Sequence, residues 1–233
     1  MKRTTRLLAP ALLVALAAIA ALTGRAQASA THPAQAHLGG AVHVRSSGAA
    51  GAALATPNQV IFNNLGPGGA YDGANGWCVN DTAAGGGGCG LGPYQQFAGR
   101  FTGNGTRVTQ IDLALTHWSG INNATIELAA DNGGVPGTVL ASWSVANQAP
   151  FGSCCVLTTV QTSTSIPVGA GRYYWVVAIA GPSITHTGSD VWNWTYGDPS
   201  GPTAFNQGGG WIPYGGPTVG FDVLGCAKLC KVT

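Results

Sequence analysis

The residues with the best chemistry for touching a ligand are five aromatics, Trp192, Trp194, Tyr196, Trp211 and Tyr214, crowded into a stretch rich in Gly, Pro and Asn. Flat rings beside amides and hydroxyls suit the apolar faces and hydroxyl edges of sugars. The same rings could instead fill a protein interior. Trp192 and Trp194 share one face if their segment is a strand, because side chains alternate with period two. Trp77, Trp118, Trp143 and Trp175 read as core or loop-packing residues.

Acid/base cleavage of glycans needs two carboxylates facing each other across a cleft. The acidic residues are Asp72, Asp81, Asp112, Glu127, Asp131, Asp190, Asp198 and Asp222. Asp72, Asp81, Asp131, Asp190 and Asp198 sit among Gly, Asn or Pro, where aspartate serves turns. Glu127 and Asp112 could oppose each other on adjacent strands, given a register that the sequence does not set. Nucleophilic catalysis has less behind it. Gly152-Ser153-Cys154 lacks the second glycine of a nucleophile elbow, and His117 and His186 have no partner evident in the sequence. Gly85-Gly86-Gly87-Gly88 is not followed by a helix-forming segment with Lys and Ser or Thr, so it is no phosphate loop. No catalytic residue is assigned and no resident cofactor or transition-metal site is expected. Oxygen-rich turns at Asp72-Gly73-Ala74-Asn75, Asn80-Asp81-Thr82 and Asp131-Asn132 leave room for a structural calcium, although turns supply the same composition without an ion.

The 233 residues include 10 Lys and Arg, 8 Asp and Glu, 37 Gly and 6 Cys; 45% are hydrophobic and 8% charged. A charge content about a third of the ordinary ~25% excludes a basic nucleic-acid surface, and the apolar content excludes a solvated disordered chain. Lys2, Arg3 and Arg6 precede an apolar run from Leu7 to Leu22 that ends near Ala26-Gln27-Ala28, the pattern of a secretory signal peptide over 1–28. At 16 residues interrupted by Pro10, the run is short of the ~20 needed to span a bilayer. Removing that segment takes Lys2, Arg3, Arg6 and Arg25 with it and leaves six basic against eight acidic residues, a net charge of −2. The expected product is secreted, free of the membrane, monomeric and without attraction for nucleic acid.

Export makes disulfides the natural state of the cysteines. Six cysteines allow 15 pairings, but spacing suggests Cys78 with Cys89 and Cys226 with Cys230. Cys154 and Cys155 are adjacent, so they either close on each other or point apart to separate partners. Residues 29–56, rich in Ala, Gly, Ser and His and including His32, His37 and His43, read as a flexible linker. The remainder, 57–233, reads as one domain.

From Gln59 onward, short apolar runs alternate with period two between Gly, Pro and Asn breaks. The expected strands are Gln59–Asn63, Tyr94–Thr102, Thr106–Thr116, Ala124–Ala130, Val139–Val145, Val156–Thr162, Arg172–Ala180, Val191–Tyr196 and Thr218–Leu224. Asp131-Asn132-Gly133-Gly134, Gly103-Asn104-Gly105 and Pro136-Gly137 supply turns. Tyr173 to Ala180 is apolar on both faces, so that strand should be central. Without helical periodicity to cross between parallel strands, the pattern predicts an all-β, two-layer antiparallel β-sandwich of jelly-roll type, stapled by disulfides.

Thr109–Val145 reads TQIDLALTHWSGINNATIELAADNGGVPGTVLASWSV, two strands joined by a D-x-G-G-x-P-G turn to a third that carries leucine and an aromatic. With Gly171-Arg172-Tyr173-Tyr174-Trp175, Trp192-Asn193-Trp194, Gly209-Gly210-Trp211 and Phe221-Asp222-Val223-Leu224-Gly225, it resembles secreted bacterial choice-of-anchor domains over about Val60 to Gly225. The resemblance implies an extracellular β-sandwich and no catalytic set to carry over. That family usually ends in a surface-sorting tail, whereas this chain ends at Lys231-Val232-Thr233 without a hydrophobic sorting segment, so release is expected rather than anchoring. The expected function is a non-catalytic binding or matrix module whose ligand is a polysaccharide. The alternatives are a glycan hydrolase using a carboxylate pair and a purely structural envelope protein.

Overall fold

Among the residues that the computed structural model describes, 59–80, 89, 94–181, 188–197 and 200–227, the chain forms thirteen strands, one 3-10 turn at Pro67–Gly69 and no α-helix. They all belong to one compact unit, Ala50–Thr233. The segments expected to be signal peptide and linker, 1–28 and 29–56, lie outside them. The strands are β1 (Gln59–Asn63), β2 (Tyr71–Asn80), β3 (Gln96–Thr102), β4 (Arg107–Leu113), β5 (Leu115–Ser119), β6 (Asn123–Asp131), β7 (Pro136–Ala146), β8 (Thr158–Pro167), β9 (Tyr173–Ala180), β10 (Ser189–Thr195), β11 (Thr203–Asn206), β12 (Trp211–Tyr214) and β13 (Phe221–Cys226).

They pair antiparallel into a six-stranded sheet ordered β12-β11-β3-β9-β6-β7, a four-stranded sheet ordered β1-β13-β4-β8 and a three-stranded sheet ordered β2-β10-β5. One core joins all three. Phe97, Phe101, Ile126, Leu128 and Val176 from the first meet Val108, Ile111, Val160, Phe221 and Val223 from the second and Val79, Leu115 and Trp192 from the third. This is a sandwich with one layer split in two. β9 is central in the six-stranded sheet, between β3 and β6.

The split occurs inside a segment that alternation alone reads as one strand, Thr106–Thr116. Ile111, Leu113 and Leu115 are all fully buried, as one face should be. At Ala114 the hydrogen bonds change partner. Its N–H donates to Gly220 O (2.9 Å) and its carbonyl accepts from Asn193 N (2.9 Å), so β4 stays in the four-stranded sheet while β5 joins β10.

Three strands, β2, β11 and β12, are absent from the sequence pattern. In β2, YDGANGWCVN looks like a turn, and it contains one: the register against β10 passes from Gly76 to Asp72, and the excluded residues fold back so that Asp72 Oδ1 accepts Ala74 N (2.9 Å) and Asn75 N (3.2 Å). In the β11–β12 hairpin the turn is held by Asn206 Oδ1, which accepts Gly208 N (2.9 Å) and Gly210 N (3.1 Å). The expected Asp131–Gly134 turn does join β6 to β7; Gly133 and Gly134 take φ of 65° and 94°, which a β-carbon disfavours. Pro136-Gly137, read as a turn, begins β7 instead.

Cys78 and Cys89 are joined, closing the expected 11-residue separation. Cys154 and Cys155 are joined to each other. Cys226 is disulfide-bonded, and Cys230 lies outside the described residues. No helix of the described residues is long and apolar enough to cross a membrane.

Trp192 shows what holds the layers together. It is fully buried, its ring meets Phe221 edge-on at 5.9 Å, and its Nε1 donates to Gly220 O (2.9 Å) across the split layer. Trp192→Ala deletes that packing and one of the two hydrogen bonds to the Gly220 carbonyl, which keeps Ala114 N, so urea unfolding should show a loss of about 3–5 kcal/mol, most of it from the cavity; a change under 1 kcal/mol would contradict this placement.

Candidate functional site

The structure disperses the five aromatics. Trp192 belongs to the core and is unreachable from solvent, which corrects its assignment as a ligand contact. Trp194 does share its inward face, but it is half-buried in a wedge of rings. Trp77 lies 5.6 Å from Trp194, 5.2 Å from Tyr214 and 5.0 Å from Phe97, while Phe205 lies 5.8 Å from Tyr214. These rings fill the end of the sandwich beside the β11–β12 hairpin. Tyr214 (38% exposed) caps that wedge, and Tyr196 (60% exposed) lies over Gly66 at another loop. Trp211 is on the far side of the six-stranded sheet, packed on Ala98, Ala129, Trp175, Val177 and Ala204. The five therefore form no common groove.

A concave site does exist, built by residues that sequence reasoning passed over. β11 begins at Thr203, opposite Gly99, so Arg100, Phe101 and Thr102 of β3 continue past the end of their neighbour. Only Arg100 N is taken up there, by Pro202 O (3.2 Å). β1, an edge strand of the opposing layer, faces this stretch with Ile61 and Phe62. Between them lies a cavity of about 460 Å³. Phe62 and Phe101, 6.2 Å apart, supply apolar wall; Thr102, Thr195, Ser200 and Thr218 supply hydroxyls; Arg100 and Tyr173 stand at its lip. A larger depression of about 700 Å³, along Gly105–Arg107 and Pro167–Gly169, carries no aromatic ring.

The Arg100 guanidinium carbon lies 4.3 Å from the centroid of the Tyr173 ring and 5.8 Å from that of Trp175. Alternation explains the contact. Arg100 and Trp175 are opposite each other on β3 and β9, as are Thr102 and Tyr173, and all four point away from the core. A cation over two ring faces is attracted to both quadrupoles and shields Trp175, which is buried although it lies on the outer face. The only available sequence signal was that Arg100 is the one charge in Tyr94–Thr102.

The carboxylates are arranged differently from the expected pair. Glu127 is in the six-stranded sheet and Asp112 in the four-stranded one, so they do not sit on adjacent strands. Asp112 is instead opposite Asp222 of β13 and accepts Thr159 Oγ1 (2.5 Å) and Gln110 Nε2 (2.7 Å). Burial, then the negative charge of Asp112, push the Asp222 carboxyl up to about 7. Burial also raises Glu127. Asp112 and Asp222 lie side by side on one sheet rather than on facing walls, and neither lines the cavity, so a glycosidic bond has no place between them.

His117 Nδ1 is 3.0 Å from Asp190 Oδ1, and its Nε2 is 3.2 Å from Gly120 O, leaving neither nitrogen directed at a nucleophile. Asp190 is fully buried; desolvation lifts its carboxyl to about 7 against the opposing pull of His117. His186, Asp81, Asp198 and Gly85–Gly88 lie outside the described residues. Of the proposed calcium loops, Asp72 spends Oδ1 on two backbone N–H groups and Oδ2 on Asn75 Nδ2 (2.8 Å), and Asp131 accepts Trp175 Nε1 (2.7 Å) and Gly134 N (3.1 Å). These carboxylates are satisfied by the chain itself. Among the described residues no three His, Cys, Asp or Glu side chains converge.

Set against family models, curated proteins and solved structures, the chain matches none.

The raised carboxyls give stability an unusual pH dependence. Unfolded, both groups titrate near 3.8; folded, Asp190 and Asp222 keep their protons to about 7. Between those values the folded state binds more protons than the unfolded one, so each group lowers stability as pH rises through the window. Thermal melts should show Asp222→Asn gaining on the natural protein from pH 4 to pH 7; a gap that shrinks would contradict the pairing.

Proposed function

We propose that the chain is a secreted, non-catalytic module that binds a polysaccharide at the cavity between β1 and β3. The observation that carries this reading is the lip of that cavity, where the Tyr173 ring, 48% exposed, stands beside Thr102, Ser200 and Thr218. An accessible ring next to hydroxyls is what a pyranose needs, its C–H face on the ring and its edge in hydrogen bonds. The apolar leader after Lys2, Arg3 and Arg6 and the Cys78–Cys89 bond support export, and the resemblance to choice-of-anchor domains belongs to the same reading. Among the described residues the cavity wall carries no carboxylate, which favours binding over hydrolysis.

Affinity electrophoresis against cellulose, xylan, chitin, galactomannan, polygalacturonate, alginate and sulfated galactans tests it. At least one glycan should retard the protein, and Tyr173→Ala should weaken that interaction about tenfold or more, on the scale of losing one central aromatic contact. Unchanged mobility in every gel removes the polysaccharide.

A further inference from the structure

Among the described residues the cavity has one charged side chain, Arg100, and its environment specifies a ligand more narrowly than the rings do. Resting on the polysaccharide reading, we propose that the site selects an anionic glycan, seating a sugar carboxylate or sulfate on the Arg100 guanidinium.

The first support is that Arg100 is unspent. Among the described residues its guanidinium donates no hydrogen bond and forms no ion pair, the one ion pair there being His117–Asp190. Arg107 shows the ordinary alternative: its Nε donates to Ser165 Oγ (2.7 Å) and its Nη2 to Ser165 O (2.5 Å). Among the described residues no acidic side chain lines the cavity to neutralise Arg100.

Its position is the second support. The guanidinium is held over Tyr173 at 4.3 Å and within 5.8 Å of Trp175. That contact uses the ring faces and no N–H donor, so the donor fork that pairs bidentately with a planar carboxylate or two sulfate oxygens stays available. Because the rings hold the group in place beforehand, less rotamer entropy is lost on binding. The guanidinium is also half-buried against Tyr173 and Trp175, where a charge-assisted bond is stronger than in open water.

The rest of the protein does not attract anions. With the leader removed, six basic residues face eight acidic ones. Selection of a negative sugar must therefore come from Arg100 locally, and the salt dependence should be that of about one ion pair rather than of a basic surface.

The experiment is titration calorimetry of the full mature chain with polygalacturonate and alginate oligosaccharides, each beside its carboxyl-reduced form, and with a sulfated galactan beside its desulfated form. The natural protein should prefer one charged member over its neutral counterpart by at least tenfold. The carboxylate and sulfate arms show which anion it takes. Arg100→Met should abolish the preference, bringing the charged form down to the affinity of the neutral one. Arg100→Lys, which keeps the charge but not the fork, should restore only part of the preference. Circular dichroism and a melting temperature within a few degrees of the natural protein confirm that both variants fold. Equal affinity for charged and neutral partners overturns the anion selection while leaving polysaccharide binding intact. No binding to any member by the natural protein overturns the underlying reading as well.

Discussion

β9 is apolar on both faces, and that one strand dictates the arrangement around it. Tyr174, Val176 and Ala178 face inward and are covered by the opposing layer, as the hydrophobic effect requires. Tyr173, Trp175, Val177 and Ile179 face outward, where the described chain offers no third layer. The protein covers them instead with side chains from the same sheet. Trp211 leans in from the β12 edge, Val135 from the β6–β7 turn and Arg100 from β3. The arginine that we assign to ligand binding thus sits where it does because an aromatic strand must be shielded from water. Being charged, it can shield the rings and still present donors outward.

A second consequence follows from strand lengths. β11 has four residues beside a seven-residue β3, so the sheet steps back on one side just where the edge strand β1 approaches from the other layer. Cavities in sandwiches arise at such mismatches, because backbone groups left over at a strand end must be taken up by loops rather than by a neighbour. Here Pro202 O takes Arg100 N, and the residues beyond it line an open space.

Charge is scarce in this protein, and the interior treats it accordingly. Asp190 is fully buried beside one histidine, and Asp222 shares a sheet surface with Asp112. Neutralising a carboxyl is cheaper than burying its charge, so both groups retain protons to about 7. A raised carboxyl of this kind is often read as an acid/base catalyst, but position decides the matter: neither group lines the cavity, and the facing walls contribute rings and hydroxyls.

Much of the fold was legible without coordinates. Alternation in Ile111, Leu113 and Leu115, double-sided apolarity in β9, the glycines of the Asp131–Gly134 turn and the Cys78–Cys89 spacing are local properties, fixed by strand geometry and short loop closure. What the chain could not state was which strands become neighbours. The turn inside β2 hid a strand, the change of partner at Ala114 divided one, and the Asp112 partner proved to be Asp222 from the far end of the chain. The tryptophans were separated for the same reason. Trp192 and Trp211 lie 19 positions apart in the sequence yet on opposite sides of a layer, while Arg100 and Tyr173, 73 positions apart, touch. Sequence by itself determined the alternation and the all-β class, because each strand writes its own period. Only the tertiary structure decided which faces are covered and where the cavity opens, because those depend on the order of strands in the sheets, and hydrogen bonds between strands carry no record of it in any single segment.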